Sequence, residues 1–350
     1  MKIENPIATT DNCRYCLMCR HVCPVGHVTQ LETLTPHGWG LIIASVKRGL
    51  IEWNEEMVGV LYQCADCGTC RSHCVTDQPL PEAISAAREE VVQKKLAPRV
   101  VYQLDEALQR WGNPYEEQAP APVKGQGDVA LFVGDAAQYL WPGTARAASQ
   151  LLEAVGVRPV LVGVGRNNGY LASSLGLRQT AESLARSNLE DLKASRARHL
   201  LVLTPGDYFA FNQLYDERLG LEWPSDVVLG ELVPFLAEKL DAGILKLTGS
   251  QDDSPYAYID PTHSVRVKTR FEAPRRLLSA VLSAPRSELF WRRERAHPCG
   301  DVALQFTHPD IACEIAESRL EDARNVGAKR IITEDVSCLS WLSRFASRFD

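Results

Sequence analysis

The sequence predicts an α/β protein whose first part is α-helical and whose remainder is two repeated parallel α/β modules. Three observations predict it. Eight of the 11 cysteines lie between Cys13 and Cys74. From Asp128 onward, short apolar runs alternate with helix-length amphipathic stretches, the pattern of parallel strands covered by helices. That alternating part also repeats itself at an offset of 131 residues. Ala181, Ala185, Ser187, Leu189, Glu190, Asp191 and Ala197 recur as Ala312, Ala316, Ser318, Leu320, Glu321, Asp322 and Ala328.

The first part, residues 1–100, is organised by two copies of C-x2-C-x2-C-x3-C: Cys13, Cys16, Cys19, Cys23 and Cys64, Cys67, Cys70, Cys74. Three sulfurs at such short steps wrap one cuboidal cluster, and the fourth, starting the next element, reaches the other. The spacing therefore predicts two [4Fe–4S] clusters with crossed ligation. Cys13, Cys16, Cys19 and Cys74 hold cluster 1; Cys64, Cys67, Cys70 and Cys23 hold cluster 2. Disulfides fit poorly, because three-residue steps are too tight for four bridges. Zinc sites normally use two C-x2-C pairs rather than a triplet with a trailing C-x3-C. Between the motifs, Leu41–Arg48 and Glu55–Tyr62 have helical period, and Glu82–Lys95 reads as a helix leading out.

Residues 101–127 read as a linker, with a helix near Leu104–Trp111 followed by Asn113-Pro114, Ala119-Pro-Ala-Pro122 and Gly125-Gln-Gly127. The first module spans 128–245, with strands at Val129–Val133, Val157–Val162 and His199–Leu203 and helices at Thr144–Val155 and Thr180–Ala194. The second spans 254–350, with strands at Ala257–Ile259, Glu288–Trp291 and Lys329–Ile332 and helices at Pro274–Leu282 and Ile311–Val326.

At 350 residues the chain can bury a substantial core, and 45% hydrophobic with 23% charged residues is ordinary for a soluble protein. The net charge is -6 and no basic tail is present, which gives no indication of nucleic acid. Met1–Asp11 carries no apolar leader, and no run approaches the roughly 18 apolar residues of a membrane span. The expected location is cytoplasmic, peripheral to the inner membrane only through partners.

In these motifs and the helices between them, the first part resembles the α-helical ferredoxin of succinate dehydrogenase iron–sulfur subunits. Over nearly its whole length the chain resembles the iron–sulfur subunits of heterodisulfide reductase, anaerobic glycerol-3-phosphate dehydrogenase, glycolate oxidase and lactate-utilisation systems. There each module carries a "CCG" pattern of five cysteines that binds a noncubane cluster in heterodisulfide reductase. Here the spacing persists without most of the cysteines. Asp135, Asn167, Asn168, Thr204 and Asp207 stand at first-module positions; Thr262, Pro298 and Asp335 flank the two retained cysteines, Cys299 and Cys338. The disulfide-splitting chemistry of those relatives is therefore not expected. Cys299, Cys338 and Cys313 read as buried core thiols, or Cys299 and Cys338 as a redox pair, since the family fold brings those positions together. Asp135 with Asp207 is a weak hard-cation candidate.

What the resemblance implies is a non-catalytic electron-transfer subunit. Single electrons pass through two cubanes between a flavin-dependent dehydrogenase and an electron-transfer flavoprotein or quinone. The alternative is a catalytic heterodisulfide- or quinone-reducing subunit using a residual site in the CCG-like modules. Arg20 and Arg71, after the third cysteine of each motif, read as cluster-tuning cations or solvated surface groups. Trp39 and Trp53 read as cluster covers or core. The run from Ser264 to His297, with nine Arg or Lys against three Glu, reads as a docking face or a solvated one.

Overall fold

The structure, a computed structural model, describes residues 6–120, 125–266 and 270–348. Residues 121–124 of the expected linker and Lys268 of the basic run lie outside them.

The N-terminal region is helical. Helices Pro36–Lys47 and Glu55–Leu61 occupy the space between the cysteine motifs, and each begins where the sequence supplies a cap. The Thr35 hydroxyl accepts from Gly38 N–H, and the Asn54 side chain accepts from Met57 N–H. Helix Leu80–Gln93 buries Ala83, Ile84, Ala87 and Val91 at helical spacing against the same core. The first half of the expected linker is a helix, Arg99–Trp111, longer than the segment predicted there. Val101, Leu104 and Leu108 share one face, all are buried, and Gly112 at φ 75° closes the last turn.

The first module is a four-stranded parallel sheet: β1 (Val129–Val133), β2 (Val160–Val164), β3 (His199–Val202) and β4 (Val228–Glu231), in the order β2-β1-β3-β4. The second is three-stranded: β5 (Tyr256–Tyr258), β6 (Arg286–Ser287) and β7 (Arg330–Ile332), in the order β6-β5-β7. Ala130 lies opposite Val160 and Leu200, and Ala257 opposite Ser287 and Ile331, so both sheets place their first strand centrally. The duplicated plan is thus present in the strand order as well as the sequence.

Three expectations are corrected. β2 starts later than Val157, because Val157 N–H closes the preceding helix onto Leu152. The strand expected at Glu288–Trp291 is displaced to Arg286–Ser287, because Phe290 and Trp291 N–H groups donate to the Asp322 carboxylate instead of a ladder. Edge strand β4 was not predicted at all; its short run Val-Leu-Gly-Glu carries little periodicity.

One continuous apolar core joins all three parts, running from Val25, Trp39 and Ile43 through Phe132 and Leu200 to Leu304 and Trp341. The repeat is visible in two glycines as well. Gly169 and Gly300, 131 residues apart, sit at φ 88° and 90°. A Cβ on Gly169 would lie 2.9 Å from the Ala181 carbonyl oxygen, and one on Gly300 would collide with that of Ala312. Only glycine serves at such a close backbone approach.

Gly169→Ala and Gly300→Ala are each expected to cost about 3 kcal/mol, combining left-handed strain with overpacking. Gly327→Ala, at φ 74° with open space around it, should cost about 1 kcal/mol. Denaturant titration of the three variants checks the ranking.

Candidate functional site

The two cysteine loops are built alike. In the first, Tyr15 and Leu17 hold positive φ (53° and 60°); in the second, Asp66 and Gly68 do (48° and 81°). These left-handed residues, placed just before the second cysteine and just after it, curl each loop so that successive sulfurs share an inner side. Backbone N–H groups then point at sulfur: Tyr15 to Cys13, Gly26 to Cys23, Asp66 to Cys64 and Gln78 to Cys74, each at 3.4 Å. N–H groups aimed at sulfur are what iron-bound thiolates require of their surroundings.

The fourth cysteine of each motif lies beside the other motif's triplet. A cavity is lined by Cys13, Cys19, Cys70 and Cys74 together with Tyr15, His37 and Gln78. Burial pushes the Cys19 thiol up to about 11, with Cys13 and Cys74 adding to the rise. Cys23 is pushed well above the ordinary thiol range by burial, with Cys67 and Cys64 as its thiol neighbours. Burial likewise takes Cys64 up to about 12. Cys70 faces both sets, with Cys67, Cys64, Cys23 and Cys19 around it. Cys74 stands lower: burial raises it, but bonds from Thr76 and Gln78 outweigh burial. Buried thiols that resist ionisation one by one fit a centre that brings its own positive iron. Among the described residues no three His, Cys, Asp or Glu side chains converge on a single metal ion. A tetrahedral zinc site needs its ligands within about 2.3 Å of one point, whereas a cubane is held at separate corners.

The two sets differ in exposure. Cys16 is exposed and Cys13, Cys19 and Cys74 are partly so, while in the second set Cys23, Cys64 and Cys67 are buried and Cys70 is half-buried. What covers the second loop comes from the modules. Arg266 pairs with Asp66 at 2.9 Å, donates to the Asp66 and Cys67 carbonyls, and lies 4.5 Å over the Phe209 ring. Gly68 leaves room for it: a Cβ there would strike the Arg266 side chain. From the first module, Tyr170 donates its hydroxyl to Asp66 Oδ2 at 2.6 Å. Buried Arg88 donates to the Leu61, Cys64 and Ser174 carbonyls, and Thr69 donates to the Ala296 carbonyl.

Behind this loop lies a pocket between the modules, lined by Asp135, Asn168, Thr204, Asp207, His263 and Asp335. All of these except His263 are positions that the resemblance set in place of cluster cysteines or beside them. A hydrogen-bond network occupies them. Asn167 donates to Asp135 at 2.9 Å, and Asn168 and Thr204 donate to Asp207 at 2.8 and 2.9 Å. Thr262 donates to Asp301 at 2.8 Å. Burial, with Asp335 and Asp135 nearby, pushes Asp207 up to about 7. Burial and Asp335 do the same to Asp301, also about 7. Burial, then Arg266, pushes His263 down to about 3, leaving a neutral imidazole. Asp135 and Asp207 do not make a cation site with a third ligand among the described residues.

Cys299 and Cys338 form a disulfide, with Cα atoms 5.5 Å apart and both side chains fully buried. The expectation of separate core thiols is therefore corrected for this pair; Cys313 is half-buried elsewhere. At the 131-residue offset its partners are Asn168 and Asp207, so a hydrogen-bonded amide and carboxylate in one module correspond to a disulfide in the other.

Much of the basic run is taken up in ion pairs, while Arg276 and Arg295 remain exposed. Arg266, Arg270 and Arg275 are buried in ion pairs with Asp66, Glu334 and Asp260, and Arg286, Arg292 and Arg293 gather around Glu288. Arg20 and Arg71 are surface groups, paired with Glu32 and with Asp77 and Glu82. Trp39 is core, donating to the Val60 carbonyl; Trp53 donates to Glu90.

Two family models match parts of the chain. Residues 9–97 match the 4Fe-4S dicluster domain family and residues 256–343 the cysteine-rich domain family. The chain is 27% identical over 295 residues to one of the subunits of dihydromethanophenazine:CoB–CoM heterodisulfide reductase from Methanosarcina barkeri, covering 78% of this chain and 70% of that one. The Methanosarcina mazei counterpart is 28% identical over 287 residues, covering 77% and 69%. A probable membrane-anchored ferredoxin from Chromohalobacter salexigens is 23% identical over 324 residues, covering 88% of this chain and 47% of the relative. No solved structure matches. No helix among the described residues is long and apolar enough to cross a membrane.

Arg266→Gln leaves Asp66 buried without its cation, a change expected to destabilise by about 3 kcal/mol. Asp66 sits below the ordinary carboxylate range: burial raises it, but Arg266 and Tyr170 outweigh burial. The pair's contribution is thus full above the unfolded carboxylate pKa and lost as pH falls through the depressed folded value. Stability curves of parent and variant should differ near neutral pH and converge in acid.

Proposed function

We propose that this chain, a homologue of a heterodisulfide reductase subunit, is the electron-transfer iron–sulfur subunit of an oxidoreductase complex. It carries two [4Fe–4S] clusters, held by Cys13, Cys16, Cys19 and Cys74 and by Cys64, Cys67, Cys70 and Cys23. The clusters would supply one-electron carriage; the chain's own residues set their exposure and surroundings. The observation that supports the reading is the asymmetry between the two cysteine sets. The first opens to solvent at Cys16, where a partner's cofactor can approach, and the second is enclosed by Arg266, Tyr170 and Arg88. A flavin-dependent dehydrogenase fits as donor at the open set, with an electron-transfer flavoprotein or quinone-linked protein as second partner. A cytoplasmic location, peripheral to the membrane through such partners, accords with this.

Anaerobically purified protein should contain about eight iron and about eight sulfide per chain. Cys74→Ser should remove the EPR signal of the cluster held by Cys13, Cys16 and Cys19 and spare the other. Selective loss of the Cys64–Cys67–Cys70 cluster in that variant would overturn the crossed assignment.

A further inference from the structure

We propose that the Cys299–Cys338 disulfide is a two-electron acceptor fed by the second cysteine set, with Asp301 and Asp335 as its proton donors. The inference rests on the reading that the two clusters carry single electrons. Its starting point is connectivity. The Thr69 hydroxyl, one residue before Cys70, donates to the Ala296 carbonyl at 3.3 Å. His297 packs 5.6 Å from His27, whose helix begins at Pro24, directly after Cys23. Cys299 follows Ala296 by three residues, at most about 11 Å of chain. The disulfide therefore hangs from the segment that touches both sources of ligands for the enclosed cluster.

Burial decides what can reduce it. Both cysteines have no exposed surface, so thiols in solution have no access to the attacked sulfur. The polar neighbours suit the reduction. Asp335 Oδ1 accepts from Cys338 N–H at 3.2 Å. Asp301 lies two residues after Cys299; its Oδ1 takes the Thr262 hydroxyl, and its Oδ2 is buried without a partner. Burial, with Asp335 beside it, favours the protonated form of Asp301, and burial, with Glu334 nearby, favours that of Asp335. The charged and titratable groups around them are Asp135, Asp207, Glu334, Tyr115 and Arg344, and among the described residues no cation is paired directly to either acid.

The step balances. The cluster that Cys64, Cys67, Cys70 and Cys23 would hold would supply two electrons one at a time, drawn from a reduced flavin of the donor protein. The S–S bond breaks, each sulfur ends with one added electron and one proton, and two thiols result. Single-electron traffic is thereby collected into a two-electron, two-proton store under the floor of the pocket between the modules, beside Asp335, Val336 and Ser337.

Anaerobic titration of the cluster-loaded protein with photoreduced flavin tests this. Four electrons per chain are expected, two for the clusters and two for the disulfide. Denaturing quench with an alkylating agent should then label Cys299 and Cys338, whereas dithiothreitol under native conditions should leave them unlabelled. Cys299→Ala should accept two electrons with both cluster signals unchanged. Asp301→Asn should slow labelling of the pair about a hundredfold, the loss typical of a missing general acid, without slowing cluster reduction. Uptake of only two electrons by the parent, with both clusters reduced and the pair still oxidised, overturns the proposal while leaving the electron-transfer reading intact. Absence of iron in the first place overturns that reading instead. An unchanged rate in Asp301→Asn overturns the proton assignment.

Discussion

The structure depends on one buried ion pair, Arg266 with Asp66. Asp66 sits inside the tight loop between Cys64 and Cys67, where a carboxylate has no room to reach water. Leaving it unpaired would be costly, so the loop holds its shape only when something brings a cation to it. That cation comes from the second module, 200 residues later, and the Tyr170 hydroxyl from the first module completes the set. Three parts of the chain thus meet at one carboxylate, and the second cysteine loop cannot be fully formed in an isolated N-terminal fragment.

The same logic explains why three arginines of the locally basic stretch lie inside a net-acidic protein rather than on its surface. Arg266, Arg270 and Arg275 are each drawn inward by a carboxylate on another element: Asp66 in the cysteine loop, Glu334 after β7, and Asp260 after β5. The planar guanidinium, with several donors in fixed directions, suits such braces better than lysine does. Counting charges along the sequence measured how many braces there are, not where the field points.

Much was legible from residues alone: both cysteine motifs, the duplication, and the strands β1, β3, β5 and β7. Periodicity carries that information locally. What failed was non-local. The displacement of β6 follows from Asp322, an acid some thirty residues away, capturing the N–H groups of Phe290 and Trp291. The roles of Arg88, Tyr170 and Arg266 leave no periodic trace. A signal existed nonetheless: an acid at Asp66 where the first loop has Tyr15, and a glycine at Gly68 where the first loop tolerates Leu17. A charge and an absent side chain in the second loop both announce that another element packs against it.

The duplicated modules have diverged into different chemistry on one geometry. At equivalent positions, the first module holds Asn168 and Asp207 and the second Cys299 and Cys338. The first pair is a closed hydrogen bond: it has no accessible oxidation state and fixes backbone that thiolates and iron would otherwise organise. The second pair is the same closure made covalent and reversible by electrons. The first module's acids, Asp135 and Asp207, line one pocket with Asp335 of the second; burial raises all three above the ordinary carboxylate range, and at Asp207 the other two add to the rise. A reaction that takes up protons along with electrons is favoured in such surroundings. Where the resemblance implied cluster cysteines, this chain gathers carboxylates around one disulfide, so the chemistry its own residues can offer there is proton transfer.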